Sequence, residues 1–177
     1  MSGRIPTLAN RPQPSRTQYK PRPSVAVATP IAHLVYNSNV TQTINNNATV
    51  QFNKTTVLRG LNFNTVTNRD DLVISKAGIY EIKYVLTIEP YPDSTAAPTG
   101  HVFVLTLNGQ NVSDTTVGDH QPNNLTPYQI VGHAVINVTN DNTVLNIKNL
   151  SVLPVTLTKS VNSVEVCGAT LTVVKLD

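Results

Sequence analysis

The sequence predicts an all-β domain, a sandwich or barrel of short strands, and three observations predict it. Val, Thr and Asn supply 67 of the 177 residues, so strand formers and turn formers dominate together. No run of helix-forming residues carries a period of 3.6. Turn clusters recur between short β-branched and aromatic runs along the whole body, the spacing expected when strands follow one another without helices.

Ten strands are expected in order. Val25–Tyr36, Ala48–Phe52, Val57–Val66 and Leu72–Ser75 are runs rich in Val, Ile, Leu, Phe and Thr. Asn45-Asn46-Asn47 and Asn68-Arg69-Asp70-Asp71 separate them as turns. After Lys76-Ala77-Gly78, the run Ile79–Glu89 alternates, with Tyr80, Ile82, Tyr84, Leu86 and Ile88 on one face and Glu81, Lys83, Thr87 and Glu89 on the other. Val102–Leu107 ends at Asn108-Gly109, a dipeptide suited to the two positive φ angles of a tight hairpin. Tyr128–Val138 and Val144–Ile147 flank the turn Asn140-Asp141-Asn142, and Val152–Thr158 and Val164–Leu176 complete the set. In the last strand Ala169, Leu171 and Val173 alternate with Thr170, Thr172 and Val174, so both faces are apolar or β-branched. A strand buried on two sides in so small a body suggests that one side meets another subunit.

Two regions differ in composition: a connector, residues 1–24, and a body, residues 25–177. The connector holds five prolines and five basic residues and no acid. Proline fixes φ and removes a donor, which favours an extended arm over a central strand. The net charge of +3 divides into +5 on the arm and 3 − 5 = −2 on the body. A cationic arm on a mildly acidic body suits an anionic partner or another copy of the same body. Tyr19 is the arm's one stacking aromatic, too little for a nucleic-acid reading, and no nucleic-acid partner is expected. No membrane insertion is expected either, since no run of 18 apolar residues occurs. The N-terminus lacks the apolar core of a secretory signal peptide.

The stretches Leu72–Ile88, His101–Val112 and Gly132–Ser151, with ATLTVVKL at Ala169–Leu176, carry a resemblance. They resemble the jelly-roll family of bacterial spore exosporium and appendage proteins. That family includes the C-terminal head of the collagen-like glycoprotein BclA, the basal-layer protein ExsF (BxpB) and the F-type endospore appendage (F-ENA) subunits, the last being the match favoured here. The resemblance implies a TNF-like jelly-roll homotrimer at the bacterial spore surface. It also accounts for a missing signal peptide, because such proteins are made and assembled in the mother cell. There is no Gly-X-Y region, so a collagenous filament is not expected. Ile5-Pro6-Thr7-Leu8 resembles the leader by which collagen-like exosporium proteins attach to the basal layer.

Taken together, these readings make the chain a fibre subunit whose N-terminal arm docks into the next trimer. Arg4, Ile5, Pro6, Thr7, Leu8 and Arg11 are the candidate connector residues. Ala169, Leu171, Val173, Phe103, Leu105 and Tyr84 are the candidate trimer-interface residues. Other exosporium anchor and tip proteins are possible partners. The rival readings are a non-fibrous basal-layer or anchor protein, and a trimeric adhesion head using loops around Pro90–Thr99 and Asp114–Pro127. An enzyme is not expected, nor is a cofactor or a metal. His33, His101, His120 and His133 are dispersed without ligand spacing, and nothing completes Asp119-His120 as a catalytic pair. His133 reads as a satisfied core or interface residue. Cys167 reads as a small hydrophobe in mid-strand.

Overall fold

A computed structural model describes residues 28–38, 40–90, 100–120, 126–161 and 164–177. Its elements, in chain order, are β1 (Ile31–Tyr36), β2 (Gln42–Ile44), β3 (Lys54–Arg59), β4 (Leu61–Phe63), β5 (Leu72–Ile74), β6 (Gly78–Ile88), β7 (Gly100–Leu107), β8 (Gln110–Asn111), β9 (Val117–His120), β10 (Tyr128–Val138), β11 (Thr143–Asn149), β12 (Val155–Leu157), β13 (Ser160–Val161), β14 (Val164–Glu165) and β15 (Ala169–Lys175). There is no helix among the described residues. Seven strands form one sheet in the order β2-β12-β6-β15-β1-β3, with β10 also paired to β6. Six form the second sheet, β4-β5-β11-β7-β8, with β9 also on β7, and β13-β14 make a small hairpin. Every recorded pairing is antiparallel, which lets each sheet bury one face and leave the other for solvent or a partner.

The core lies between the two sheets and follows the alternation of the sequence. Tyr80, Ile82, Tyr84, Leu86 and Ile88 of β6 are all 0–1% exposed. Leu34, Leu171 and Val173 extend that layer, while Leu72, Ile74, Phe103, Leu105, Leu145 and Ile147 supply the opposing one. Burying each such side chain contributes about 1.5–3 kcal/mol.

Four expectations are corrected. Ala48–Phe52 is extended but joins no ladder beyond a single bridge from Thr49 to Lys148. Its backbone bonds go instead to Asn149 and Ile147 of β11, the Gln42 side chain and Arg69, with Val50 and Phe52 buried. The short β2 pairs with β12 in its place. Val57–Val66 divides at Gly60, whose φ of +67° turns the chain from β3 in one sheet to β4 in the other. A side chain there would also press on Pro30 at 3.0 Å. Val164–Leu176 divides too, so Cys167 lies between β14 and β15 and is exposed rather than packed in mid-strand. The Asn108-Gly109 hairpin is as expected, with φ of +49° and +79°.

Candidate self-association face

The six residues named as trimer-interface candidates are placed inside the subunit. Ala169, Leu171, Val173, Phe103, Leu105 and Tyr84 are each 0–1% exposed in the single chain, so they have no surface to offer a second one. The physical reason is the pleat: one face of β15 and β6 completes the core between the sheets, and only the opposite face remains available. Arg4, Ile5, Pro6, Thr7, Leu8 and Arg11 lie outside the described residues, as does most of the Pro90–Thr99 loop. The Asp114–Pro127 region contains β9.

The opposite face of the larger sheet is where the two-sided reading of β15 leads. Register places its side chains in rows across the strands. Val131, Val85 and Thr170 form one row over β10, β6 and β15. His133, Lys83, Thr172 and His33 form the next, reaching β1. Val135, Glu81, Val174 and Ile31 form the third. Val131 is 61% exposed and Val135 58%, with Ile79 on β6 and Val57 on β3 also open to solvent. Single exposed valines need no explanation, whereas several on one sheet face mark a site of contact.

Between the two valines of β10 sits a charge cluster. A Glu81 carboxylate oxygen accepts from Lys83 Nζ at 2.8 Å and lies 3.0 Å from His133 Nε2. The hydrogen bond from Lys83, with His133 adding to it, holds the Glu81 carboxyl below its ordinary pKa. His133 is therefore satisfied, as expected, but on the surface rather than in the core.

Among the described residues the outer edge of β10 pairs with no strand. Thr87 N–H donates to Gly168, Thr158 N–H to Thr87, and Leu176 N–H to Ile79, so the odd-numbered residues of β6 bond away from β10. By alternation the even-numbered residues bond to β10, and Val131, His133 and Val135 turn their N–H and C=O groups to its outer side. Among the described residues no third strand pairs there. Eleven consecutive register pairs hold β10 without a bulge, and it contains no proline and no lysine. These are the devices that ordinarily guard a long edge strand. A groove of about 350 Å³ runs beside it, lined by Leu107, Val112, Asp114, His133 and Val135 among others.

Gly132 fixes how β10 lies on β6. A Cβ there would fall 2.2 Å from Cε1 and Cζ of Tyr84, so the tyrosine ring occupies the place of the missing side chain. Tyr84's hydroxyl is buried without a hydrogen-bond partner among the described residues, and burial pushes its pKa well up.

The remaining histidines are scattered. His101 is buried and stacks on Tyr128 at 5.8 Å between ring centres, with its Nδ1 against the tyrosine hydroxyl. Burial lowers its pKa, and Asp119 partly opposes this. Among the described residues no three His, Cys, Asp or Glu side chains gather as a metal site. An open groove of about 390 Å³ near Asn62, Phe63, Asn68 and Asp71 holds no convergent catalytic groups.

Sequence reasoning named the buried face of β15, and the signal for the exposed face of the sheet lay in β10. Tyr128–Val138 alternates Ile130, Gly132, Ala134, Ile136 and Val138 against Gln129, Val131, His133, Val135 and Asn137. Valines among polar residues on the second face were the clue.

No protein-family model matches the chain. No curated protein matches it either. Among solved structures it is similar to murine APRIL at pH 5.0, at 15% identity over 84% of this chain and 100% of that one, with a TM-score of 0.55. It is also similar to Eiger TNF from S. frugiperda, at 10% identity over 84% and 93% of the two chains, with a TM-score of 0.59. At such identities the likeness establishes the fold, a TNF-like jelly roll.

Proposed function

We propose that this protein is the structural subunit of a bacterial endospore appendage, a homotrimer whose N-terminal arm links one trimer to the next in a fibre. The observation that carries the trimer is the outward face of the larger sheet, where Val131, Val135 and Ile79 stand exposed at the β10 edge, which pairs with no further strand among the described residues, and Val57 stands exposed at the opposite edge. The jelly-roll fold supports self-association of this kind, and the spore-surface reading rests on the sequence resemblance of residues 72–88, 101–112 and 132–151. Arm and body are different surfaces, so their contact is heterologous and stacks without closing. Ile5 and Leu8 would contribute roughly 3–6 kcal/mol per arm if fully buried, less the cost of ordering. Three arms entering one partner raise avidity by about 10²–10⁴.

Two variants of the full chain separate the parts of this reading. Deleting residues 2–20 leaves discrete trimers and abolishes fibres in electron micrographs of the purified protein. Fibres that survive the deletion refute the linking role. Combining Val131→Lys with Val135→Lys yields monomers in sedimentation while the circular dichroism spectrum stays that of the parent. Trimers that persist in the double variant place the interface elsewhere.

A further inference from the structure

We infer that the N-terminal arm of a second copy docks as an added antiparallel strand on the outer edge of β10, with the groove beside that edge receiving its apolar side chains. This rests on the proposed reading that arms link copies, and it names the place where the arm is held. Two features of the body make the acceptor. Val131, His133 and Val135 turn N–H and C=O groups outward, and among the described residues no strand meets them. The groove of about 350 Å³ follows the same stretch, from His133 to Asn137, with Leu107 and Val112 across from it. An extended chain laid there gains main-chain hydrogen bonds from the edge and apolar contact from the groove.

The arm carries the matching pattern in its prolines. Along a strand, successive residues point their N–H and C=O groups to opposite sides, so every second residue bonds to a given neighbour. Pro6, Pro12 and Pro14 are all even-numbered. The odd-numbered residues from Ile5 through Thr7, Ala9, Arg11 and Gln13 to Ser15 therefore keep a complete row of donors and acceptors for β10. The three missing donors all fall on the other side. Proline is tolerated in a sheet under this condition, at an edge with its nitrogen turned away from the ladder. The added strand also ends the sheet, because any further strand would meet those absent donors.

Side chains and charge agree with antiparallel addition, the sense of the recorded pairings. Residues directly opposite one another share a face of the sheet. Ile5 and Ala9 then join Val131 and Val135 on the outward face, while Pro6, Leu8 and Pro12 turn inward toward Leu107 and Val112. The groove's lining includes one acid, Asp114, and no lysine or arginine. The arm supplies Arg4, Arg11 and Arg16 and no acid, so the charges are complementary. From Ser15 to Ala28, where the described body begins, an extended chain spans about 40 Å, against a body radius of gyration of about 15 Å. That is long enough to reach a neighbouring body.

The test compares Ala9→Pro with Asn10→Pro in the full chain, by the fraction of purified protein that sediments as fibres and by electron micrographs. Both substitutions stiffen the arm and leave the body untouched, but only the first removes a donor that faces β10. The expected fibre yield is at least tenfold lower for Ala9→Pro than for Asn10→Pro. Equal yields, whether both high or both low, overturn the strand pairing. Hydrogen–deuterium exchange gives a second readout. Peptides covering Tyr128–Val138 exchange at least tenfold more slowly in parent fibres than in trimers of the residue 2–20 deletion, and equal exchange overturns the inference. Slow exchange in parent chains that sediment as single trimers assigns the arm to its own subunit and overturns it as well. A parent that forms no fibres overturns the linking reading itself, which is a different result from fibres indifferent to the position of the added proline.

Discussion

Replacing Gly132 by alanine tests the packing that seats the edge strand on its neighbour. The new Cβ would stand 2.2 Å from two carbons of the Tyr84 ring and 2.7 Å from its hydroxyl oxygen. Carbon atoms in contact keep about 3.5 Å apart, so ring and strand must separate by roughly 1.3 Å. Tyr84 is 1% exposed within the core cluster, and the ring cannot swing outward without opening a void. Overpacking of this kind costs about 1–3 kcal/mol. For a domain of this size that corresponds to a drop in Tm of about 2–12 °C. Urea unfolding followed by circular dichroism, at one fixed protein concentration, measures it. Truncating the ring relieves the conflict, so Gly132→Ala costs less in a Tyr84→Leu background than in the parent. A Gly132→Ala protein within about 0.3 kcal/mol of the parent refutes the argument. Strict additivity in the double variant refutes it equally.

Three further outcomes follow from the same structure. Tyr84→Phe removes a buried hydroxyl that has no hydrogen-bond partner among the described residues, so it leaves stability unchanged or raises it by up to about 1 kcal/mol, read from the urea midpoint. Asn149→Ala costs about 2–4 kcal/mol by the same assay, because the fully buried amide donates to Ile44 and Asn45 carbonyls and accepts from Ser151 N–H; its loss takes that donor from Ile44 and that acceptor from Ser151, while Asn45 keeps the Ala48 N–H. Asp141 is held below its ordinary pKa by Lys76 first and by the Ala77 N–H second. A depressed carboxyl stabilises the fold above its unfolded pKa and loses that contribution as pH falls through the folded one, so Asp141→Asn flattens the decline of Tm below about pH 4.

Much of the fold was legible because β-structure writes its period into the chain. The alternation in Ile79–Glu89 appears as the buried and more open faces of β6 up to Leu86 and is broken at Thr87, which is buried, and Asn108-Gly109 turns where a dipeptide with two positive φ angles must. The misreadings came where long-range partners override local pattern. Ala48–Phe52 has strand composition, yet its backbone bonds go to a side chain, to Arg69 and to β11 rather than to one neighbouring strand. Gln42–Ile44 has only three residues and exists as a strand because β12 arrives beside it. For the candidate site, alternation identified two apolar faces on β15 but could not say which one the second sheet would cover. That choice depends on the side of β6 and β15 on which Leu105 and Ile147 lie, a fact of topology rather than of local sequence.

The root of the arm bears on the proposed linkage. Thr29 accepts from Arg59 Nε at 3.0 Å, and the Pro30 carbonyl accepts from Lys175 N–H at 3.0 Å, beside the Gly60 corner. The chain thus enters the sandwich at the end that also carries the C-terminus and the start of β6. The acids near that end already have partners: Asp141 pairs with Lys76 at 2.8 Å, and Asp177 lies 3.6 Å from Lys175 while accepting from Ile79 N–H. With Arg59 added, the surroundings of the root are cationic rather than acidic. A segment bearing five positive charges gains nothing electrostatically by folding back there. Glu89 lies just beyond the far end of β6, so acidic charge that could attract such a segment is displaced from its root.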